Sequence, residues 1–181
     1  MLTLNVMLEP EQYDEEIQEF VPPVILTLEL EHSLVSISKW ESKWHKSFLS
    51  TKDLSDEETL DYIKCMVLTP NVSQEVYAYL SEENIQQIRD YIANPMTATT
   101  FREDKSGPSS REKITSELIY FWMITWNIPV EFENWHLNRL ITLIRVCNIK
   151  NQQPKKMSQR DLASRNAALN AQRRAQMKTK G

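Results

Sequence analysis

The chain has 181 residues, 21 Lys/Arg against 25 Asp/Glu for a formal net charge of −4, and only two glycines and two cysteines. That length suits one domain with appendages, whose core can hide roughly 70% of the unfolded surface without covalent staples. Gly107 and Gly181 are too few for a phosphate-binding loop or a dinucleotide fingerprint, so glycine-dependent architectures are excluded and helices are favoured.

Residues Leu2 to Leu8 (LTLNVML) and Val24 to Glu31 (VILTLELE) are predicted to be extended, because apolar and polar residues alternate along the second of them, and the two are expected to pair. The acidic stretch between them, EPEQYDEEIQEF, is predicted to be a loop or a short helix, with Pro22-Pro23 imposing an extended approach to the second segment. The opening run MLTLNVMLEPEQYDEE has no positively charged leader and turns acidic, the wrong charge order for a secretory peptide, so the chain is expected to stay in the cytoplasm. Residues 1–31 thus form an N-terminal extended segment.

From His32 the period becomes helical. Ile37, Trp40, Trp44 and Phe48 recur on one face. A second helix is predicted from Ser55, where Ser55 and Glu58 form a capping box and Leu60, Ile63 and Val67 supply the apolar face; Thr69-Pro70-Asn71 ends it. Ser73 and Ser81 are predicted caps for two shorter helices, QEVYAYL and EENIQQIRDYIA, and Asn94-Pro95 stops the latter. The stretch MTATTFREDKSGPSSREK is loop-like, with TATTF as a candidate short strand. Two strongly apolar helices, about Arg111 to Asn127 and Glu133 to Asn148, are predicted to form the core as an antiparallel pair turned at Ile128-Pro129. The longest apolar run, LIYFWMITWNIPV, is too short and too interrupted for the roughly 20 residues of a bilayer span. Residues 32–149 therefore read as a helical bundle domain.

Beyond Asn148 the composition shifts. Residues 150–181 hold nine Lys/Arg and one Asp, a net of +8, whereas the other 149 residues hold twelve Lys/Arg and twenty-four Asp/Glu, a net of −12. Ser158 and Asp161 offer a cap for a polar, Ala-rich helix whose Leu162, Ala163, Ala167, Leu169 and Ala171 bury too little area to hold it by packing. The predicted fold is mainly α: a compact helical bundle with a short N-terminal β pair and a basic C-terminal helical tail.

Chemistry-bearing patterns are sparse. His32, His45 and His136 have no metal-ligand spacing, and satisfied or solvated histidines are the simpler reading for all three. Asp56 to Glu58 sit where a helix dipole attracts carboxylates, so they are read as helix-start residues rather than metal ligands. Cys65 and Cys147 lie in apolar helical patterns as small thiols. Trp40, Trp44, Trp122, Trp126 and Trp135 have core spacing, with a base-stacking platform as the alternative. No catalytic signature, cofactor motif or metal site is expected. The candidate partner-binding residues are the tail cations Lys155, Lys156, Arg160, Arg165, Arg173 and Arg174, which suit nucleic-acid phosphates, an acidic partner or the chain's own acidic body, or else simple solvation.

The blocks SKWESKWHKSFLS, DYIKCMVLTPNVS, PMTATTF, WHLNRLITLIRVCNIKN and RNAALNAQRRAQMKTKG resemble a family of small proteins encoded in the structural gene clusters of tailed bacteriophages, usually labelled tail assembly chaperones. The resemblance runs from about Leu30 onward. It implies a noncatalytic protein, not an enzyme, that binds the tape-measure protein, keeps that long helical chain soluble and helps tail-tube subunits polymerise around it in the infected bacterium's cytoplasm. Family relatives are often made in a second, longer form by frameshifting and tend to be missing from the finished virion. The alternatives are a virion subunit such as a tail-completion, connector or baseplate-associated protein, and a nucleic-acid-binding regulator; a homo-oligomer fits any of these, and no membrane partner is expected.

Overall fold

The N-terminal alternation yields four strands in a computed structural model that describes residues 1–14, 18–101, 113–151 and 159–177: β1 (Leu2–Glu9), β2 (Gln12–Asp14), β3 (Glu19–Val21) and β4 (Val24–Leu30). β1 and β4 pair antiparallel as expected, with Leu4 opposite Leu28 and Leu2 opposite Leu30. Leu4, Val6, Leu28 and Leu30 are fully buried, so period-two side chains put one face of the ribbon on the core. The acidic stretch predicted as loop or short helix contains β2 and β3 instead, paired with Tyr13 opposite Phe20. Their rings meet edge to face at 5.1 Å, a cross-strand aromatic contact that favours the ribbon over a helix.

Among the described residues six α-helices follow: α1 (Leu34–Trp44), α2 (Asp56–Met66), α3 (Glu82–Ala93), α4 (Ser116–Thr125), α5 (Leu137–Asn151) and α6 (Gln159–Met177). The chain is mainly α, as predicted. Serine and threonine hydroxyls start the first four: Ser55 and Ser81 close full capping boxes with Glu58 and Asn84 where the sequence predicts caps, Ser33 accepts from the Ser36 amide, and Thr115 accepts from the Leu118 amide. Asp56, Glu57 and Glu58 occupy the first turn of α2, where the dipole stabilises them. With glycine absent from these turns, His45, Asn71, Met96 and Asn127 take the left-handed conformation; His45 closes α1 by donating its amide to the Glu41 carbonyl.

α1 and α2 pack through a dense mixed interface. Trp40 is fully buried and donates Nε1–H to the Glu58 carbonyl at 2.9 Å. Trp44 donates to Asp61 at 2.9 Å, and Lys43 and Lys46 pair with Asp61 and Glu58. Phe48 lies beyond the end of α1 rather than on its face, yet it still stacks on Tyr62 with ring centroids 4.0 Å apart. The outer edge of β4 is covered by residues 66–69: the Leu68 amide donates to the Glu29 carbonyl and Thr69 accepts from the Glu29 amide, both at 2.8 Å. Asn84 reaches from α3 to the Asn5 carbonyl on β1 at 3.1 Å. Half of the ribbon is thereby locked into the core and its edges there are satisfied.

Several expected boundaries move. QEVYAYL forms a 3-10 helix over Gln74–Tyr79, and TATTF forms no strand among its described residues. A second 3-10 turn (Val130–Asn134) follows α4, and α5 starts only at Leu137 and continues to Asn151. The predicted antiparallel pairing of the last two core helices does not dominate: the principal helical neighbour of α4 is α1. The Ser158 cap lies outside the described residues, and α6 is helical from Gln159. Met1–Cys147 and Asn148–Gly181 are separate compact units; the first holds the ribbon and the core, and the second holds α6. No helix among the described residues is long and apolar enough to cross a membrane. Cys65 and Cys147 form no disulfide.

Candidate functional site

A buried polar cluster is built on Glu31-His32-Ser33, which joins β4 to α1. Its backbone is tied on both sides, with the Glu31 amide donating to the Met66 carbonyl at 2.9 Å and the His32 carbonyl accepting from the Leu137 amide at 2.7 Å. Two histidines distant in sequence therefore meet: the His32 and His136 rings lie edge to face at 5.1 Å. His32 Nδ1 shares a 2.5 Å hydrogen bond with the Tyr62 hydroxyl, and Tyr91 donates its hydroxyl to Glu31 at 2.6 Å. His136 donates Nε2–H to the Tyr91 carbonyl at 3.0 Å and accepts at Nδ1 from the Asn138 amide at 3.3 Å, which fixes one neutral tautomer.

Electrostatics agree with that assignment. Burial, reinforced by the neighbouring His136, lowers His32 to about 3. Burial also lowers His136 and pushes Tyr62 and Tyr91 upward, aided at Tyr91 by the bond from its hydroxyl to Glu31. The cluster at neutral pH is thus two neutral imidazoles and two protonated phenols. Every buried side-chain nitrogen and oxygen among the described residues has a partner, and no group of three or more His, Cys, Asp or Glu there is placed to hold a metal ion. The hub acts as a polar bolt between sheet and helices, and Glu31 also pairs with the N-terminal ammonium of Met1 at 2.7 Å.

Two concavities border it. One is an apolar cavity of about 210 Å³ between α2, α3 and the Phe48–Leu54 segment, walled by Tyr62, Ile63, Ile88 and Ile92. The other, about 250 Å³, is lined by Tyr91, Trp135, His136 and Arg139, with the Arg139 guanidinium 4.0 Å above the Trp135 ring. That stacking satisfies the cation locally.

The surfaces offer more than the cavities. α4 carries seven consecutive apolar or aromatic residues, Leu118 to Ile124, yet fully buries only Ile119 and Met123 of them. Phe121 and Ile124, three residues apart on one face, are 60% and 76% exposed, with Val130 exposed just beyond. An all-round apolar helix with one wet side is a helix with a missing neighbour. The sequence pattern of α4 gives no stripe to distinguish the core side from the wet side, which is why this surface reads only as core in the sequence.

Among the tail cations, Arg160, Arg165, Arg173 and Arg174 lie on α6, and all four are exposed. At about 100° per residue they stand near 0°, 140°, 220° and 320° around the axis, so they ring the helix instead of forming a stripe. Lys155 and Lys156 lie outside the described residues. The exposed aromatic tip of the ribbon, Tyr13 and Phe20, was hidden in the sequence by the acids that surround it.

Neither a protein-family profile, nor a curated protein, nor a solved structure matches this chain.

Proposed function

We propose that this chain is a noncatalytic morphogenesis protein of a tailed bacteriophage: a tail assembly chaperone that holds the tape-measure polypeptide in the cytoplasm of the infected bacterium. In this reading a helical bundle over residues 32–149 carries the binding surface and the basic tail of residues 150–181 assists it. The observation that supports it best is the exposed ridge of Phe121 and Ile124 on a helix that is apolar all round. Such a ridge suits a second helix laid along it, gripping by contacts three and four residues apart, which is how a long helical polypeptide is kept from aggregating. The cations Lys155, Lys156, Arg160, Arg165, Arg173 and Arg174 would raise the encounter rate with an acidic segment rather than add grip.

Co-expression with the tape-measure protein of the same gene cluster, followed by affinity capture, tests the proposal. The wild-type chain retains the tape-measure protein, and the double variant F121S/I124S folds normally but loses it. Absence of capture by the wild-type chain defeats the reading. The exposed ribbon tip favours a second reading, a virion subunit that inserts its N-terminal strands against a neighbour. Mass spectrometry of purified particles separates the two, since stoichiometric copies support the subunit and absence supports the chaperone.

A further inference from the structure

The ribbon is half core and half arm. Leu4, Val6, Leu28 and Leu30 are fully buried, whereas Met7, Ile25, Val24, Tyr13, Phe20 and Val21 are all substantially exposed, Phe20 at 67%. The six lie along two successive two-stranded sheets, in which Met7 faces Ile25, Glu9 faces Val24, Gln12 faces Val21 and Tyr13 faces Phe20. An apolar surface so concentrated on a two-stranded ribbon costs solvation and marks an interaction site.

Apart from the N-terminal ammonium of Met1, which pairs with Glu31 at 2.7 Å, the charge on the same segment is one-signed. Residues 1–38 contain eight Asp/Glu and no Lys or Arg. Among the described residues, Glu9, Glu11 and Glu19 enter no ion pair. The arm therefore presents greasy and aromatic contacts inside an uncompensated anionic field, and the occupant that fits it is a cationic segment with some apolar surface.

This chain contains such a segment. The unit Asn148–Gly181 carries α6, whose exposed arginines surround a helix that also exposes Leu169 and Met177. Its +8 over residues 150–181 is opposite in sign to residues 7–25, which hold six Asp/Glu and no Lys or Arg. We infer that the acidic aromatic arm of one copy is the docking surface for the basic helix α6 of a second copy, giving head-to-tail self-association. The contact is heterologous, because each copy offers one arm and one helix, so it extends into chains unless an end is blocked. It stands independently of any phage partner.

Sedimentation of the full-length protein over a range of concentrations, in 50 mM and 500 mM salt, provides the test. The expected result is a weight-average mass that grows with concentration at low salt and returns to that of the monomer at high salt. Two full-length variants locate the contact. E9Q/E11Q/E19Q with Y13S/F20S blocks the arm, and R160Q/R173Q/R174Q blocks the helix; each alone associates at least tenfold more weakly. Mixed in equal amounts at low salt, they form a dimer that grows no further, because only one intact arm and one intact helix can meet. A wild-type chain that stays monomeric at low salt overturns the inference, and so does association that survives either variant. A mixture that fails to pair overturns it as well, even where the wild type associates.

Discussion

The carboxylate of Glu41, near the end of α1, accepts the backbone amide of Ser116 at the start of α4 at 2.7 Å, across 75 residues of sequence. Its other oxygen accepts the Phe48 amide at 2.8 Å. Glu41 is 7% exposed, so one buried carboxylate closes the turn after α1 and satisfies an orphan donor at the positive end of α4. It also fixes where α4 lies, and with it which side of that apolar helix remains wet.

Removing this staple should be costly. Glu41→Ala leaves two buried amides without acceptors, and charge-assisted bonds of this kind are worth about 1.5–3 kcal/mol each. The expected loss is about 3 kcal/mol, or a melting temperature lower by roughly 6–12 °C for a chain of this size. Glu41→Gln keeps one good acceptor and should lose about half as much. Thermal unfolding followed by circular dichroism checks both; a Glu41→Ala protein as stable as the wild type removes the staple from the account.

The histidine hub predicts a pH dependence of definite sign. Folding lowers His32 from the ordinary 6.5 to about 3 and lowers His136 as well, so between those values the unfolded chain binds more protons than the folded one. Stability is complete above about pH 6.5 and falls as the pH drops, by up to about 1.4 kcal/mol per pH unit for each histidine. The ion-paired carboxylates act lower: the Lys46 bond, then the Ser55 amide, holds Glu58 below its usual range, and at Asp61 the bonds from Lys43 and Trp44 outweigh burial. Urea midpoints measured from pH 7.5 to pH 5 isolate the imidazoles. The slope should shrink in His32→Gln, and a flat profile in the wild type would contradict the buried neutral pair.

Much of this architecture is legible in the sequence, and the illegible parts share one cause. Period-two alternation announces β4, and Ser55, Ser81 and Glu58 announce their helix starts, because strand pleat and capping are short-range. Glu41 looks like any surface acid of an amphipathic helix until Ser116 arrives from elsewhere in the chain. His32 and His136 show no spacing motif because their meeting is made by β4, α1 and α5 together. The seven apolar residues of α4 have no periodicity to lose, so the core and the exposed ridge are indistinguishable. At β2 and β3 the abundance of acids masked two strands that a single aromatic pair, Tyr13 with Phe20, helps to define. The ring of arginines on α6 was visible as composition, but its distribution around the axis emerges only when the helix is laid out residue by residue.

The capping boxes should cost separately. Ser55→Ala removes an acceptor from the Glu58 amide at the start of α2, and Ser81→Ala does the same for Asn84 on α3. Each loss should be about 1 kcal/mol, and the double variant should show their sum within about 0.5 kcal/mol, since the two caps share no partner. Asn84→Ala should cost more than Ser81→Ala, because Asn84 also donates to the Asn5 carbonyl and ties α3 to the ribbon. Denaturant midpoints order the three single variants; Asn84→Ala milder than Ser81→Ala would mean the tie to β1 contributes nothing.

Helix α6 should be the least protected helix of the chain. The described side chains of α6 from Ala163 to Met177 are all exposed, so side-chain burial contributes little against fraying and alanine-rich propensity carries much of the helix. Amide exchange in dilute protein at 500 mM salt, where self-association is screened, should be slowed in α6 by no more than about tenfold relative to an unstructured peptide. Amides of α1 and α2, around the fully buried Trp40 and Met66, should be slowed by at least about a thousandfold, since they open only with the core. Lowering the salt and raising the concentration should increase protection in α6 and in the Met7–Ile25 part of the ribbon together. Strong protection of α6 in the dilute, high-salt sample would show that the helix is held by something other than a second molecule.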